Sequence, residues 1–322
     1  MIVVTGAMGF IGSCLINKLN EEGHEHNILV VDDFYKKHKE INLDNKFIRE
    51  WIHRDIFLEI FQKMPEQIDF VFHLGARTDT AEKDKKVFEK LNINYSKDIW
   101  KICTEHQIPL IYASSAATYG NGEHGYKDDH KVVKKLKALN LYGQSKNDFD
   151  QWVLKQKKQP PFWAGLKFFN VYGPNEYHKK RMASVIFHAT RQIQKTGSMD
   201  LFKSHKKGIK DGAQQRDFIY VKDVVEVCHF LFKKQKESGL YNIGTGNART
   251  FLDLANAVFS ALNKKPSIQF IDTPTDIRKN YQYYTQADIS KLKSIGYKKA
   301  FYSLEDGVID YIKNYLKGNK IW

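Results

Sequence analysis

Tyr142 and Lys146 stand four residues apart in Tyr-Gly-Gln-Ser-Lys, a spacing that puts a phenol and an ammonium on one face of a helix. A neighbouring cation favours the phenolate, drawing tyrosine down from about 10 toward the range of a general acid or base. Such a pair is also common as two ordinary residues of one helix, so its surroundings decide its meaning. Upstream, Ser114-Ser115-Ala-Ala-Thr-Tyr-Gly120 closes an apolar run, and the Ser115 hydroxyl there is suited to hold an alcohol or ketone oxygen that Tyr142 protonates. A third constellation, Thr5-Gly-Ala-Met-Gly-Phe-Ile-Gly12, sets glycines at 6, 9 and 12. Gly6 permits a tight turn, Gly9 lets backbone approach a pyrophosphate, and Gly12 allows close packing of the helix that opens there, whose N-terminus supplies N–H donors. The spacing is GxxGxxG rather than GxGxxG. Asp32 and Asp33 end the next apolar run, about 20 residues on, where a carboxylate bonds an adenosine ribose. Lys36, Lys37 and Lys39 follow at once and suit a 2′-phosphate, so these residues leave NAD and NADP both open.

The elements that must carry these groups follow from the pattern. Ile2–Thr5, Ile28–Asp32, Phe70–Leu74, Pro109–Ser114 and Gly165–Asn170 read as strands, and Val87–His106 and Tyr142–Lys157 as helices between them. Near-continuous apolar strands alternating with helices predict a parallel sheet covered on both faces, a doubly wound α/β unit. After Gly173-Pro174 the pattern loosens into a helix near 183–195, a polar stretch at 203–215 expected to be a flexible loop, and a final helix at 304–316, together a smaller α/β lobe. The 322 residues, 42% hydrophobic and 13% aromatic with only 7 prolines, exclude disorder as a main theme. No apolar run nears the roughly 18 residues of a membrane span and no basic leader precedes Met-Ile-Val-Val-Thr, so a soluble, unexported chain without a membrane partner is expected. Cys14, Cys103 and Cys228 are distant and odd in number, which argues for reduced, buried thiols and against disulfides or a metal site. The net charge of +14 favours anionic partners, yet its lysine clusters are scattered and lack interleaved aromatics, which argues against nucleic acid.

Taken in this order along the chain, the glycine turn, Ser114–Gly120, Tyr142–Lys146, Asn170-Val-Tyr-Gly-Pro174 and Arg216-Asp-Phe-Ile-Tyr-Val-Lys-Asp-Val224 resemble the signatures of the extended short-chain dehydrogenase/reductase family over nearly the whole chain. The resemblance implies a Rossmann-type doubly wound sheet with an interleaved substrate lobe. It also implies a tightly bound NADP or NAD, one per subunit, working on a nucleotide-activated sugar. The cofactor would be held by Gly6, Gly9, Phe10, Ile11, Gly12, Asp32, Asp33, Lys39, Arg54, the stretch Leu74, Gly75, Ala76, Arg77 and Thr78, and by Asn92, Lys146, Val171 and Lys179. Gly173-Pro-Asn-Glu-Tyr-His-Lys-Lys-Arg-Met-Ala-Ser-Val-Ile-Phe-His188 is similar to the corresponding stretch of members that invert carbon 6 of an ADP-heptose. That likeness implies ADP-heptose as substrate and a two-base reaction with Ser115, Tyr142, Lys146 and Lys179 as catalytic residues, Tyr142 serving one face of a ketone and Lys179 the other. Substrate contacts would come from Ser115, Asn170, Arg181, His188, Phe202, Lys203, Ser204, His205, Arg216 and Tyr281.

Each of these has a plainer reading beside it. Lys179, flanked by His178, Lys180 and Arg181, is either a base whose amine is kept neutral by that basic quartet or one cation of a phosphate-binding or solvated loop. His188 is either a ligand or a satisfied core histidine, and Arg181, where the family has a small residue, meets either an extra anionic group or solvent. Rival functions are a UDP- or dTDP-hexose 4-epimerase or dehydratase and a non-catalytic cofactor- or RNA-binding protein. The resemblance further implies a cytoplasmic homo-oligomer of lipopolysaccharide biosynthesis. A dinucleotide domain would span 1–170, about 218–245 and 280–298, with the substrate lobe at about 171–217, 246–279 and 299–322.

Overall fold

A computed structural model of the protein describes residues 1–278 and 281–322. The strands begin with β1 (Ile2–Thr5), β2 (Ile28–Asp32), β3 (Glu50–His53), β4 (Phe70–His73), β5 (Leu110–Ser115) and β6 (Trp163–Phe168); all but β3 arise from the five apolar runs, β6 two residues earlier than its run, whereas Glu-Trp-Ile-His gave no apolar signal. They are followed by β7 (Asn170–Tyr172), β8 (Met199–Phe202), β9 (Gln215–Arg216), β10 (Phe218–Tyr220), β11 (Gly239–Ile243), β12 (Arg249–Thr250) and β13 (Ile268–Ile271). The helices are α1 (Phe10–Glu21), α2 (Arg54–Lys63), α3 (Lys85–Phe88), α4 (Tyr95–Glu105), α5 (Leu141–Val153), α6 (Val185–Thr196), α7 (Val221–Lys234), α8 (Phe251–Ala261), α9 (Thr275–Arg278), α10 (Ser290–Ser294) and α11 (Leu304–Asp310).

Seven strands form one sheet in the order β11-β6-β5-β4-β1-β2-β3, every pairing parallel. Alternate residues of a strand face opposite sides. Ile2, Val4, Ile28, Val30, Phe70 and Phe72 therefore pack with α1 and α7 on one face, while Val3, Leu29, Val31, Val71 and Leu110 pack with α2, α4 and α5 on the other. Covering both faces is why these strands read as unbroken apolar runs. The strand order reverses between β1 and β4, and ligands of such sheets bind at the carboxyl ends beside that point.

The second half packs into the same core, since α6, α8 and α11 place Ile186, Ile193, Leu254, Val258, Leu304 and Val308 in the cluster that holds α1 and α7. Its strands pair in twos, β8 with β13, β9 with β12 and β7 with β10. The expected lobe boundary at 279/280 lies outside the described residues. Residues 203–214 carry no helix or strand, though the Ser204 N–H donates to the Asp211 carboxylate at 2.6 Å and the Gln214 amide to the Phe202 carbonyl at 3.1 Å.

Three elements differ from expectation in detail. The helix foreseen at 87–106 contains a π-helical stretch, Glu89–Asn94, between α3 and α4. α5 stops at Val153, because Lys155–Gln159 offers no apolar face to bury and Pro160 disfavours helix in the residue before it. The last helix widens after Asp310 into a π turn at Tyr311–Tyr315. Cys14, Cys103 and Cys228 are free and buried, as expected, and burial pushes the Cys14 and Cys228 thiols up to about 12.

Candidate active site

The glycine turn sits between β1 and α1 with Gly6 at a φ of +70°. A Cβ on Gly6 would fall 2.7 Å from Gly75 Cα, and one on Gly12 would fall 2.2 Å from the Gly6 carbonyl oxygen. Gly12 thus lets the first helical turn press on the loop itself, rather than on the sheet. Gly9 caps α1 without any side-chain bond to its first N–H groups, which leaves a helix N-terminus of the kind that receives a phosphate. The backbone of this cradle therefore fits a dinucleotide pyrophosphate.

Asp32, at the end of β2, accepts the Met8 N–H at 2.9 Å and the Asp33 N–H at 2.7 Å, so one carboxylate braces the cradle. Asp33 is met by Lys36 and Arg54, both at 3.1 Å, and by His53 at 3.5 Å. Lys36 and Arg54, with the His53 hydrogen bond, hold its carboxyl below the ordinary range, although burial opposes them. Lys39 lies half-buried beside the same pair, its ammonium disfavoured by burial.

From β4, Leu74–Thr78 runs alongside the glycine turn, with the Gly75 N–H donating to Thr5 Oγ1 at 3.1 Å. Thr5 Oγ1 also meets His73 Nδ1 at 2.7 Å, and His73 Nε2 meets Ser96 Oγ at 2.8 Å. Burial drives the His73 imidazole down to about 3, so it is neutral. Asn92, in the π stretch, accepts the Arg77 N–H at 2.8 Å, donates to the Arg77 carbonyl at 2.9 Å, and donates to Ser145 Oγ at 2.9 Å. One amide thus ties the β4 loop to α5.

α5 begins at Leu141, where the Asn140 side chain accepts the Gly143 N–H at 2.8 Å. It presents Tyr142, half-buried, and Lys146, buried. Lys146 Nζ donates to the Ala113 carbonyl of β5 at 2.7 Å, and burial brings its ammonium down to about 8. The expected depression of the Tyr142 phenol by Lys146 is not what the structure has: burial pushes the phenol up and the Ser115 hydroxyl alone draws it down. Ser115 is buried at the end of β5, and its Oγ accepts the Ala117 N–H at 3.1 Å, which leaves its own proton free to donate.

Lys179 lies in the short helical turn Tyr177–Met182, its Nζ 5.4 Å from the centre of the Phe10 ring at the start of α1. Its ammonium is disfavoured, and the cause is burial rather than the basic quartet, with the Glu176 charge opposing. The buried Glu176 carboxylate accepts the Ser184 Oγ–H at 2.7 Å and so closes the base of this turn. His178 meets the Asn42 amide at 3.1 Å, and Asn42 also donates to the Met8 carbonyl at 3.0 Å.

Arg216, at the end of β9, is buried between the Tyr281 and Phe251 rings at 5.5 and 5.7 Å and donates to the Gln282 carbonyl. Phe202 meets Tyr281 edge-on at 6.3 Å, and the His205 N–H donates to the Tyr283 hydroxyl at 3.1 Å. Gln282 donates to the Gly120 carbonyl, so this aromatic cluster abuts the turn that follows Ser115. Asn170 lies exposed on β7, paired with Phe218, and Val171 beside it packs against the core. Lys203 pairs with Asp272 at 3.4 Å. Arg181 is exposed and pairs with Asp79 at 2.9 Å. His188 is exposed too, against Phe187, so it is no core histidine. His73, Asn42 and Tyr283 have no role in the sequence reading, since their partners lie far along the chain, and Glu176, quoted there only within its stretch, grips Ser184 eight residues on.

The profile described as "NAD dependent epimerase/dehydratase family" matches residues 2–244. A protein of Fusobacterium nucleatum named ADP-L-glycero-D-manno-heptose-6-epimerase is 48% identical over 98% of both chains. One of the same name from Nitratidesulfovibrio vulgaris is 45% identical over 98% of both. The crystal structure of the Helicobacter pylori enzyme of that name superposes with a TM-score of 0.80 at 28% identity, covering 97% of this chain and 95% of the other.

Proposed function

The chain belongs to the NAD dependent epimerase/dehydratase family, and from that premise we propose that it inverts carbon 6 of ADP-D-glycero-D-manno-heptose to give the L-glycero epimer. The observation that carries the reading is that two proton-handling groups on separate elements border one dinucleotide cradle. Tyr142 stands on α5 with Ser115 beside it, and Lys179 stands over Phe10.

A nicotinamide cofactor held in this cradle would supply a reversible hydride acceptor and would end each turnover unchanged. The α1 N-terminus would hold its pyrophosphate, and Lys146 would hold its nicotinamide ribose as an ammonium. Ser115 Oγ donates to the carbon-6 oxygen, and Tyr142 Oη takes or gives the proton of that oxygen on one face. Lys179 Nζ does the same on the other face, where burial disfavours its ammonium and the Glu176 charge opposes that. Two opposed groups are required because inversion presents the ketone from both sides. Arg216, between two aromatic rings, meets the diphosphate with a planar fork, and Asn170, His188, Arg181, Phe202–His205 and Tyr281 border the sugar. A UDP- or dTDP-hexose enzyme working through Tyr142 alone would leave the buried lysine without a task.

Asp33 already has two cationic partners, Lys36 and Arg54, so its ribose end carries no surplus negative charge. Arg54, Lys36 and Lys39 accordingly accept the 2′-phosphate of NADP. Arg54→Ala is expected to weaken NADP binding about tenfold while changing NAD binding little, as measured by cofactor titration; equal losses for both would return the choice to NAD. The resemblance adds a cytoplasmic homo-oligomer serving lipopolysaccharide core biosynthesis, with a substrate lobe of about 171–217, 246–279 and 299–322.

The test is proton NMR of ADP-D-glycero-D-manno-heptose with purified protein and no added cofactor. Appearance of the carbon-6 epimer supports both the activity and a resident cofactor. Confirmed cofactor without epimer would remove the heptose reading.

A further inference from the structure

Asp150 follows Tyr142 by eight residues and Lys146 by four, on the same stripe of α5. Its carboxylate and the Lys167 ammonium of β6 are both wholly shielded from solvent, with Nζ donating to Oδ2 at 2.6 Å. Asp150 also accepts the Ser114 hydroxyl at 2.7 Å and the Tyr112 hydroxyl at 3.0 Å, both from β5. Lys167 donates a second bond to Thr118 Oγ1 at 2.8 Å, and the Thr118 hydroxyl donates to the Ser115 carbonyl at 2.8 Å. The pair therefore joins α5, β5, β6 and the turn after Ser115 in one closed network. A buried ion pair is a weak source of stability, since apolar replacement of both partners is often neutral or favourable. Stability alone gives little reason for this one.

We propose that Asp150 and Lys167 are positioning residues of the reaction. The carboxylate on the helix of Tyr142 and Lys146 grips Ser114, while its ammonium partner holds the turn after Ser115, so the serine hydroxyl and the phenol keep one fixed relation. This rests on the reading that Ser115, Tyr142 and Lys146 do the chemistry.

The charge of Asp150 acts on both groups it positions. It adds to the burial that pushes the Tyr142 phenol up, and it opposes the burial that brings Lys146 down. The remaining groups packed here are the neutral His73 on β4, the Tyr112 phenol on β5, pushed up by burial and by Asp150, and the Tyr119 ring 5.2 Å from Lys167 Nζ. Removing the Asp150 charge therefore lets the phenol of Tyr142 ionise at lower pH.

Asp150→Asn alone would strand a buried ammonium, so the variants are Ser114→Ala, which keeps both charges, and Asp150→Asn combined with Lys167→Met. Both are purified with cofactor bound. Expected are losses in kcat of about tenfold for the first and about 100-fold for the second, with KM and cofactor content within about twofold of the parent. In the double variant the phenolate titration of Tyr142, read by ultraviolet difference against Tyr142→Phe in the same background, moves to lower pH. Variants that fold with altered thermal stability but unchanged kcat and unchanged titration would overturn the proposal. Should the double variant not fold, an undiminished kcat in Ser114→Ala overturns it alone. If the parent protein turns over no ADP-heptose, the function reading fails, while the titration still decides whether Asp150 acts on Tyr142.

Discussion

Lys146 spends its shortest hydrogen bond on the Ala113 carbonyl, on the strand that ends in Ser115, and burial brings it down to about 8. Below that pH it is the ammonium that the proposed mechanism requires on a ribose hydroxyl; above it the proton is lost. Activity is therefore expected to fall as pH rises through an alkaline limb no lower than about pH 8, and the limb should vanish from the profile of Lys146→Arg, whose guanidinium does not titrate there. A profile flat to pH 10 in the parent would show that this proton is irrelevant. In the proposed two-base mechanism Tyr142 and Lys179 differ from it in exchanging protons. Tyr142→Phe and Lys179→Met are each expected to cut kcat by about 100-fold to 10,000-fold while leaving bound cofactor, read by absorbance of the released nucleotide, near the parental amount. Full activity in Lys179→Met would sink the two-base mechanism. The spacing of Tyr142 and Lys146 disclosed the pair, but not the balance between burial and charge that sets their protonation. That balance depends on Ser115 at the end of β5, on the Asp150 carboxylate two turns along α5, and on the depth of the core around them.

At the scale of the element, Gly12 shows how one missing atom lets a helix begin where it does. Alanine within a helix is ordinarily about 1 kcal/mol better than glycine, but here its Cβ would meet the Gly6 carbonyl oxygen at 2.2 Å and its carbon at 2.9 Å. Both are backbone atoms of the cradle, so the helix start or the loop must move. Gly12→Ala is expected to weaken cofactor affinity at least about tenfold, measured by equilibrium binding, whereas Gly23→Ala, whose Cβ meets nothing within 4 Å, should bind normally despite its positive φ. Equal binding by both would show that the collision is relieved at no cost to the cradle. Five strands of the main sheet, the glycine turn and α5 are legible because periodicity and turn chemistry are local signals, whereas β3 and β11, at its two edges, are not. The π stretch around Asn92 was not, because what widens that helix is a partner set at Arg77 and Ser145. Nor was the enclosure of Lys179, which depends on Glu176 gripping Ser184 and on Phe10 beneath the amine. Asp150 carried a faint signal as the third polar residue of the 142, 146, 150 stripe; Lys167, in the middle of an apolar strand, carried another. Only the fold reveals that they answer each other.

Across the whole molecule, the buried titratable groups set how stability depends on pH. His73, bridging Thr5 and Ser96, is held at about 3 and His178, against Asn42, at about 4, both because burial disfavours their charge. Their unfolded value is about 6.5. Below it the unfolded chain takes up protons that the folded chain refuses, so stability is lost as pH falls, for His73 at a slope approaching 1.4 kcal/mol per pH unit. Three buried carboxyls act in the opposite sense. Asp223 is pushed up to about 6, and Glu176 and Asp128 upward as well, each mainly by burial, so below about pH 6 the folded chain holds protons that the unfolded chain releases, which adds stability. Only the histidines titrate unopposed between about pH 6.5 and 6. Thermal midpoints at constant ionic strength, needed because a chain of net charge +14 repels itself more at low salt, should therefore drop from pH 7.5 to 6 and flatten between 6 and 5. They should fall again below 4 as Asp33, held low by Lys36 and Arg54, Asp79, held low by the Ala81 N–H and by Arg181, and Asp310, held low by Lys222 and Tyr220, become protonated. Replacing His73 by asparagine removes one titrating group and should make the upper drop shallower, even if the midpoint at pH 7.5 is lower. An unchanged slope in that variant would mean that the imidazole between Thr5 and Ser96 is already protonated in the folded protein, contrary to its place at the centre of a solvent-free hydrogen-bond chain.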